Sequence, residues 1–333
     1  MKKLSSYTNN RQSLRHSIVL FSFAVLLLWR STAPLEAQER QAATARKTAP
    51  SVLFIGNSFT FGSGTPVQKW RPETVTDLNG TNIGGVPALF KAFVTQAGRA
   101  FNVNLETSPG KNLAYHIKEK AEVIGQSWDY VLLQRHSMLD LSKPGDPTTH
   151  ARAARELAEL LRSKNPKADI RLVATWSRAD QTYPEKGYWH GKPIEQMALD
   201  VRRGYDLALK ESAPLIRNVI PVGEAWNRAI KNGVADPNPY DGITPGQFDL
   251  WGKDHYHASV AGYYLEALLI FADLTGLDPR SLGKQELAAS ELGLTPDQAY
   301  TLQQLAYDEL TAIKGHPRLR SFKPVKPQQR GGL

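Results

Sequence analysis

The sequence predicts one α/β domain built on a mainly parallel sheet that helices cover on both faces. Apolar, β-branched runs alternate along the chain with amphipathic segments, which is the pattern of strands joined by crossover helices. Most of these runs are apolar throughout, as in strands buried on both faces. The chain has 333 residues, and neither an internal repeat nor a linker divides residues 50–313. We therefore expect a single domain over 50–313.

Five segments have the composition of strands, and six have the 3.6-residue periodicity of helices or a helix start signal. The predicted strands cover residues 51–56, 101–106, 130–134, 170–176 and 215–222. The predicted helices cover residues 86–98, 113–125, 150–163, 194–211, 260–275 and 296–313. The Gly/Pro/Asn-rich stretch at 61–82 is predicted to be a loop.

The first strand ends abruptly in Gly-Asn-Ser at residues 56–58. Glycine permits a close backbone approach that a side chain blocks, so Ser58 is expected at the carboxyl end of the strand. Ligands of open α/β sheets bind at that edge. Alternatively, Ser58 only caps the segment that follows.

An acid and an imidazole stand three residues apart near the other end of the domain, at Asp254 and His257. A serine is a weak nucleophile until an imidazole takes its proton, and the imidazole needs a third group to orient it. Ser58, His257 and Asp254 supply these three parts, with Asp249 as the second choice for the acid. In the structural alternative, Asp254 caps the next helix and His257 packs in its first turn.

The Gly-Asn-Ser-Phe-Thr stretch at 56–60 and the Asp-x-x-His at 254–257 resemble the first and last blocks of the SGNH (GDSL-type) hydrolases. The resemblance covers roughly residues 50–275. It implies a flavodoxin-like three-layer α/β/α sandwich with a five-stranded, mainly parallel sheet, and ester hydrolysis without metal or cofactor. Its catalytic residues carry over to Ser58, Asp254 and His257.

The same resemblance implies an oxyanion hole formed by the N–H groups of Ser58 and Gly110. The third block of the family usually supplies an asparagine, but this chain has Gln134 at the end of the equivalent strand, so we expect the Gln134 amide to donate instead. Asn57 stands where the commonest form has aspartate. The Gly-x-Ser-x-Gly elbow of the α/β-hydrolases is absent.

Export and loop aromatics favour O-acetyl groups on a carbohydrate as the substrate. The candidate substrate-binding residues are Asn57, His136, Trp176 and Trp251; the aromatic side chains either stack on a sugar ring or pack under the loops. Two other functions stay open. One is a non-catalytic carbohydrate-binding protein on the same fold, and the other is a metal-assisted hydrolase using the His255/His257 cluster.

The N-terminal residues have the pattern of a secretory signal. Basic residues precede an apolar run at 18–29, and a small residue follows at Ala37, after which we expect cleavage. The run is too short for a membrane-spanning helix, which takes roughly 20 residues. The pattern predicts a secreted or periplasmic protein with residues 1–37 removed, a polar linker at 38–49, and no stable insertion in the membrane. An uncleaved anchor is the alternative.

The net charge of +9 belongs to the ends of the chain rather than to the domain. Residues 314–333 carry six Lys or Arg and no acidic residue, and three prolines, which predicts a basic disordered tail. Because the basic residues are not laid on one folded face, a nucleic-acid partner is not expected. The chain has no cysteine, which excludes a thiol nucleophile and a thiolate metal site.

Overall fold

The computed structural model describes residues 49–135 and 137–325. Its centre is a parallel sheet of six strands in the order β2-β3-β1-β4-β5-β6. The strands are β1 (Ser51–Gly56), β2 (Thr76–Asp77), β3 (Asn102–Thr107), β4 (Tyr130–Gln134), β5 (Asp169–Ala174) and β6 (Asn218–Pro221). The sequence predicted five strands. It missed β2, because a strand of two residues inside a polar loop carries no periodic signal.

Nine α-helices connect and cover the strands in the described part of the chain. They are α1 (Gly85–Gln96), α2 (Leu113–Ile124), α3 (Thr148–Lys164), α4 (Ala179–Thr182), α5 (Glu195–Glu211), α6 (Val222–Lys231), α7 (Val260–Thr275), α8 (Leu287–Glu291) and α9 (Pro296–Ala312). Three short 3-10 helices lie at Pro66–Lys69, Pro72–Thr74 and Pro279–Leu282. Helix α6 was not predicted; it begins directly after Pro221, within the stretch that had been assigned to the last strand.

The alternating side chains of each central strand enter two separate cores. In β1, Val52 and Phe54 pack into the core shared with α1, α6, α7 and α9. Leu53 and Ile55 pack into the core shared with α2, α3 and α5. Both faces of the strand are therefore buried, which explains its uninterrupted apolar run. The predicted three-layer, flavodoxin-like α/β/α sandwich with a parallel sheet is confirmed.

Part of the predicted basic tail lies on the domain. Arg320 pairs with the backbone of Gly276 and Asp278 just after α7, and the Val325 N–H donates to the Gln96 carbonyl at the end of α1. Leu319 is buried. Residues 314–325 are therefore ordered against the domain, because apolar side chains and backbone pairing outweigh the basic composition. Residues 326–333 lie outside the described residues.

The predicted signal segment and linker, residues 1–37 and 38–48, lie outside the described residues as well. Within residues 49–135 and 137–325, no helix has both the length and the apolar character needed to cross a bilayer.

Candidate active site

The turn after β1 presents Ser58 at the carboxyl edge of the sheet. Gly56, the last residue of β1, is required there because a Cβ would lie 2.1 Å from the Thr60 hydroxyl and 2.9 Å from the Gln134 amide oxygen. The Ser58 carbonyl accepts hydrogen bonds from the Ser63 N–H and from the Tyr263 hydroxyl on α7. The serine is therefore fixed through its carbonyl, and the residue is 6% exposed.

Gln134, at the end of β4, is hydrogen-bonded to this turn. Its amide oxygen accepts from the Asn57 N–H at 3.3 Å and from the Thr60 hydroxyl at 2.9 Å. Its amide nitrogen donates to the carbonyl of Arg135. The orientation follows from the donors, since only the oxygen can face an N–H and a hydroxyl that has turned its proton toward it. This arrangement does not show the predicted donation to the oxyanion: the amide oxygen is bonded to the nucleophile turn, and the amide nitrogen donates to the Arg135 carbonyl.

Asn57 has a similar structural task and does not face substrate. It is fully buried. Its side-chain nitrogen donates to the Lys111 carbonyl at 3.1 Å, and its side-chain oxygen accepts from the Phe59 N–H at 3.1 Å. Asn57 therefore ties the turn after β1 to the loop after β3, and its predicted role in substrate binding is corrected.

The loop after β3 brings Gly110 to the same edge. The Ser108 N–H donates to the Gly56 carbonyl, and the Lys111 carbonyl accepts from Asn57, so the loop is bonded to the Ser58 turn on both sides of Gly110. Gly110 has a φ of +66°, which favours glycine, and it is exposed. Among the described residues, the N–H groups of Ser58 and Gly110 have no hydrogen-bond acceptor. Two backbone donors are thus available at the predicted oxyanion hole.

Asp254 and His257 form the pair that their spacing predicted. One carboxylate oxygen of Asp254 lies 2.6 Å from His257 Nδ1, and the other accepts the backbone N–H of His257 at 2.9 Å. Partial burial raises the pKa of Asp254, but the hydrogen bonds from His257 outweigh it and lower the pKa overall. The carboxylate is therefore ionised at neutral pH and fixes the imidazole through Nδ1.

The opposite ring nitrogen, His257 Nε2, is buried and has no hydrogen-bond partner within the described part of the chain. The His257 ring lies 5.5 Å from the ring of Phe59, the residue after Ser58. Burial raises the pKa of Tyr256, the residue before His257, and the neighbouring Arg178 and Ser58 side chains partly oppose this. The fold therefore brings the Ser58 turn, Tyr256 and His257 to one corner.

Trp176 and Trp251, predicted to contact substrate, are core residues. They are 0% and 1% exposed. Trp176 stacks on Trp226 at 4.8 Å and touches Phe59 edge-on at 4.5 Å. Trp251 packs edge-on against Trp226 and donates its indole N–H to a backbone carbonyl. Packing under the loops, the alternative interpretation, therefore holds for both.

Three further residues were candidates for the site from the sequence: His136, Asp249 and His255. His136 lies outside the described residues. Asp249 accepts the Trp251 N–H and does not contact His257, so it does not replace Asp254. The His255 ring packs against Tyr240 at 4.3 Å with a tilt of 41°, whereas His257 is bonded to Asp254. In residues 49–135 and 137–325, no group of three or more His, Cys, Asp or Glu side chains is placed to hold a metal ion.

The sequence analysis missed Tyr256 and Arg178. Tyr256 was visible as the residue before His257, but nothing in a sequence indicates that its ring packs against Phe59, the residue after Ser58. Arg178, in the loop after β5, places its guanidinium carbon 3.6 Å from the centre of the Tyr256 ring. It carries no motif, and only the folded chain brings it here.

The fold is shared with solved structures of low sequence identity. A DUF4886 family protein from Bacteroides uniformis is 18% identical, with a TM-score of 0.50 over 80% of this chain and 96% of that chain. A putative GDSL-like lipase from Parabacteroides merdae is 17% identical, with a TM-score of 0.47 over 69% and 97%. A Clostridium thermocellum family 3 carbohydrate esterase is 14% identical, with a TM-score of 0.43 over 67% and 94%.

No family model matches the chain, and no curated protein matches it. At 18% identity, the likeness to the Bacteroides uniformis structure shows the fold, which is the one that the SGNH resemblance implied.

Proposed function

We propose that this protein is a secreted serine esterase of the SGNH type. The observation that carries the proposal is the Asp254–His257 pair, whose free Nε2 is buried beside the turn of Ser58. In this mechanism Ser58 is the nucleophile, His257 is the general base and then the general acid, and Asp254 orients the imidazole. The N–H groups of Ser58 and Gly110 stabilise the oxyanion.

The reaction requires the Ser58 hydroxyl to face His257 Nε2. In that position the hydroxyl gives up its proton as the oxygen attacks the acyl carbon. The alcohol leaves with that proton, and water then hydrolyses the acyl-enzyme by the same route. Hydrogen bonds of catalytic groups are often long before substrate binds and tighten in the complex.

The test is hydrolysis of p-nitrophenyl acetate by the purified protein, with Ser58→Ala and with EDTA. We expect turnover that Ser58→Ala reduces by at least about 10³-fold, as loss of a triad nucleophile does, and that EDTA leaves unchanged. Turnover that survives Ser58→Ala but not EDTA would support the metal-assisted hydrolase. Glycan binding without turnover would support the carbohydrate-binding protein.

We further propose an O-acetylated carbohydrate as the substrate, because an exposed tyrosine and a half-buried one border the catalytic loop. Tyr240 is 47% exposed and lies 4.3 Å from the ring of His255, two residues before His257. Tyr183 stands 5.9 Å from Tyr240 and extends this surface. Aromatic faces of this kind stack on sugar rings, which are apolar on their C–H faces.

The substrate proposal predicts that Tyr240→Ala raises KM for acetylated xylo-oligosaccharides about tenfold and leaves p-nitrophenyl acetate hydrolysis unchanged. Tyr300→Ala, which removes a comparably exposed tyrosine from α9, is the control. An equal effect of Tyr240→Ala on both substrates would argue against a sugar subsite here.

Secretion is a proposal from the N-terminal sequence. The mass of the exported protein measures it directly: we expect a mature chain that begins at Gln38. Retention of residues 1–37 would favour the uncleaved anchor.

A further inference from the structure

His255, which lies between the acid and the base of the proposed triad, has a left-handed backbone conformation. Its φ is +55°. Residues other than glycine keep such a conformation only where the surrounding structure holds them in it. His255 follows Asp254 directly and stands two positions before His257. The direction in which the imidazole of His257 leaves the loop therefore depends on the contacts that hold this turn.

The segment that follows β5, residues 176–180, binds the main chain of the turn. The Asp180 N–H donates to the His255 carbonyl at 3.1 Å. The Trp176 indole N–H donates to the next carbonyl along the chain, that of Tyr256, at 3.3 Å. Two successive peptides of the catalytic loop are thus fixed by a neighbouring strand end rather than by the loop itself.

The side chain of Arg178, in the same segment, covers the ring of Tyr256. Its guanidinium carbon lies 3.6 Å from the ring centre, and the residue is 7% exposed. A cation is attracted to the face of an aromatic ring, and more strongly where water is excluded. The Tyr256 ring lies in turn 4.0 Å from the ring of His257, at a tilt of 33°. Arg178 therefore fixes the ring against which the imidazole packs.

Asp180 holds the guanidinium in this position. Its carboxylate accepts from Arg178 Nε at 2.9 Å and from Arg178 Nη2 at 2.6 Å, one bond to each oxygen. Such two-point pairing fixes the plane of a guanidinium group as well as its place. Because the N–H of Asp180 also binds His255, one Arg–Asp pair fixes both the turn and the ring beside the base.

We propose that Arg178 is a positioning residue for His257, acting through the Tyr256 ring. With Asp180 it also fixes the turn at His255. The inference rests on the proposed esterase function, in which the imidazole must stay within hydrogen-bond reach of the nucleophile. The carboxylate balances the charge of the guanidinium, so the pair acts by geometry. A misplacement of roughly 1 Å can cost about 10²-fold in rate.

Arg280 forms the same arrangement away from the site. Its guanidinium carbon lies 3.3 Å from the centre of the Tyr307 ring, and its Nε and Nη2 donate to the two carboxylate oxygens of Asp278 at 3.0 and 2.7 Å. Replacing Arg280 by Met therefore removes the same kinds of contact as replacing Arg178 by Met. It leaves the catalytic loop untouched, which makes it a matched control.

The first test measures p-nitrophenyl acetate hydrolysis and the midpoint of thermal unfolding for the wild type, Arg178→Met, Arg178→Lys and Arg280→Met. We expect the midpoint to fall in both Met variants. Only Arg178→Met should lower kcat, by up to about 10²-fold with KM unchanged, because it displaces the base and removes no contact with the small ester. Arg178→Lys should recover part of kcat, since an ammonium group keeps the charge over the ring without the two-point pairing.

The second test measures how fast a fluorophosphonate labels the nucleophile, where Ser58 Oγ bonds to phosphorus and fluoride leaves. This step needs the base to activate the serine but involves no hydrolysis of an acyl-enzyme. We expect the labelling rate to fall in Arg178→Met by about the same factor as kcat. A fall in kcat without a fall in labelling overturns the proposal.

The remaining outcomes separate the two proposals. An active wild type with equal kcat in Arg178→Met and Arg280→Met overturns the positioning role and leaves the esterase standing. A rise in KM at unchanged kcat also overturns it, because Arg178 then binds the ester. A wild type without esterase activity overturns both proposals. If Arg178→Met does not fold, Asp180→Asn replaces it; this variant keeps the main-chain bond to His255 and weakens the hold on the guanidinium, and an unchanged kcat overturns the positioning role.

Discussion

Gln134 shows at the scale of a residue how one side chain shapes a site without entering the chemistry. It is 2% exposed and satisfies two donors of the nucleophile turn. We expect Gln134→Leu to lower the free energy of unfolding by about 1 to 3 kcal/mol, because the Asn57 N–H and the Thr60 hydroxyl lose their acceptor. Urea denaturation measures this change in the free energy of unfolding. The control Gln126→Leu, at an exposed position, should change the free energy of unfolding by less than about 0.5 kcal/mol.

An unchanged free energy of unfolding together with a 10²-fold fall in kcat would contradict this assignment and return Gln134 to the oxyanion hole. The residue illustrates a limit of sequence reasoning. Its position at the end of a buried strand indicates closeness to Ser58, and that was correct. The direction in which an amide points depends on the donors around it, and those come from a turn 77 residues away.

At the scale of an element, a buried hydrogen-bonded pair holds the loop that carries Gly110. Glu106 at the end of β3 and His116 in α2 are bonded to each other, and both are fully buried. Ser108 and Asn79 donate to the second carboxylate oxygen of Glu106. The loop between β3 and α2 is therefore clamped at both ends.

We expect His116→Leu to lower the free energy of unfolding by about 3 kcal/mol at pH 7, because it leaves a buried carboxylate without its nearest partner. Burial raises the pKa of Glu106, but bonding to His116 outweighs it and lowers the pKa overall. The contribution is therefore present above the unfolded pKa of about 4.3 and is lost as the pH falls through the lower folded pKa. The loss of unfolding free energy caused by His116→Leu should therefore become smaller at acidic pH.

His190→Leu, at an exposed site, is the control for this prediction. An equal loss of unfolding free energy in both variants would refute the clamp.

Helices and strands were predictable where a single pattern of apolar residues runs through the whole segment. The strand at 130–134 and the helix at 260–275 have the predicted bounds, because strong burial leaves a long apolar signal in each. Helix α6 was hidden because its first residues continue the apolar run of β6. The Asp254–His257 pair was predictable from local spacing. The approach of the His257 ring to Phe59, the residue after Ser58, was not, since it joins residues distant in the chain through the fold alone.

At the scale of the whole molecule, the last described residues of the chain pack against the domain. His316 lies 3.6 Å from Asp273 on α7, and Asp273 also binds Arg171 of β5. The interaction with Asp273 raises the pKa of His316. A raised folded pKa means that this pair stabilises fully below the unfolded pKa of about 6.5, and that its contribution disappears as the pH rises through the folded value.

Deleting residues 314–333 is therefore expected to destabilise the domain more at pH 6 than at pH 9. The deletion removes the buried Leu319, worth about 2 kcal/mol, at both pH values, and the charged His316–Asp273 pair only at the lower one. The measurement is the midpoint of thermal unfolding at each pH. Truncation after Val325 is the matched control, because it keeps the backbone bonds of Arg320 and Val325 to the domain.

If both truncations leave the midpoint of thermal unfolding unchanged, residues 314–325 contribute nothing to stability, and the prediction of a disordered tail stands. If only the longer deletion lowers it, equally at the two pH values, the apolar contacts of the segment account for the effect without the ion pair.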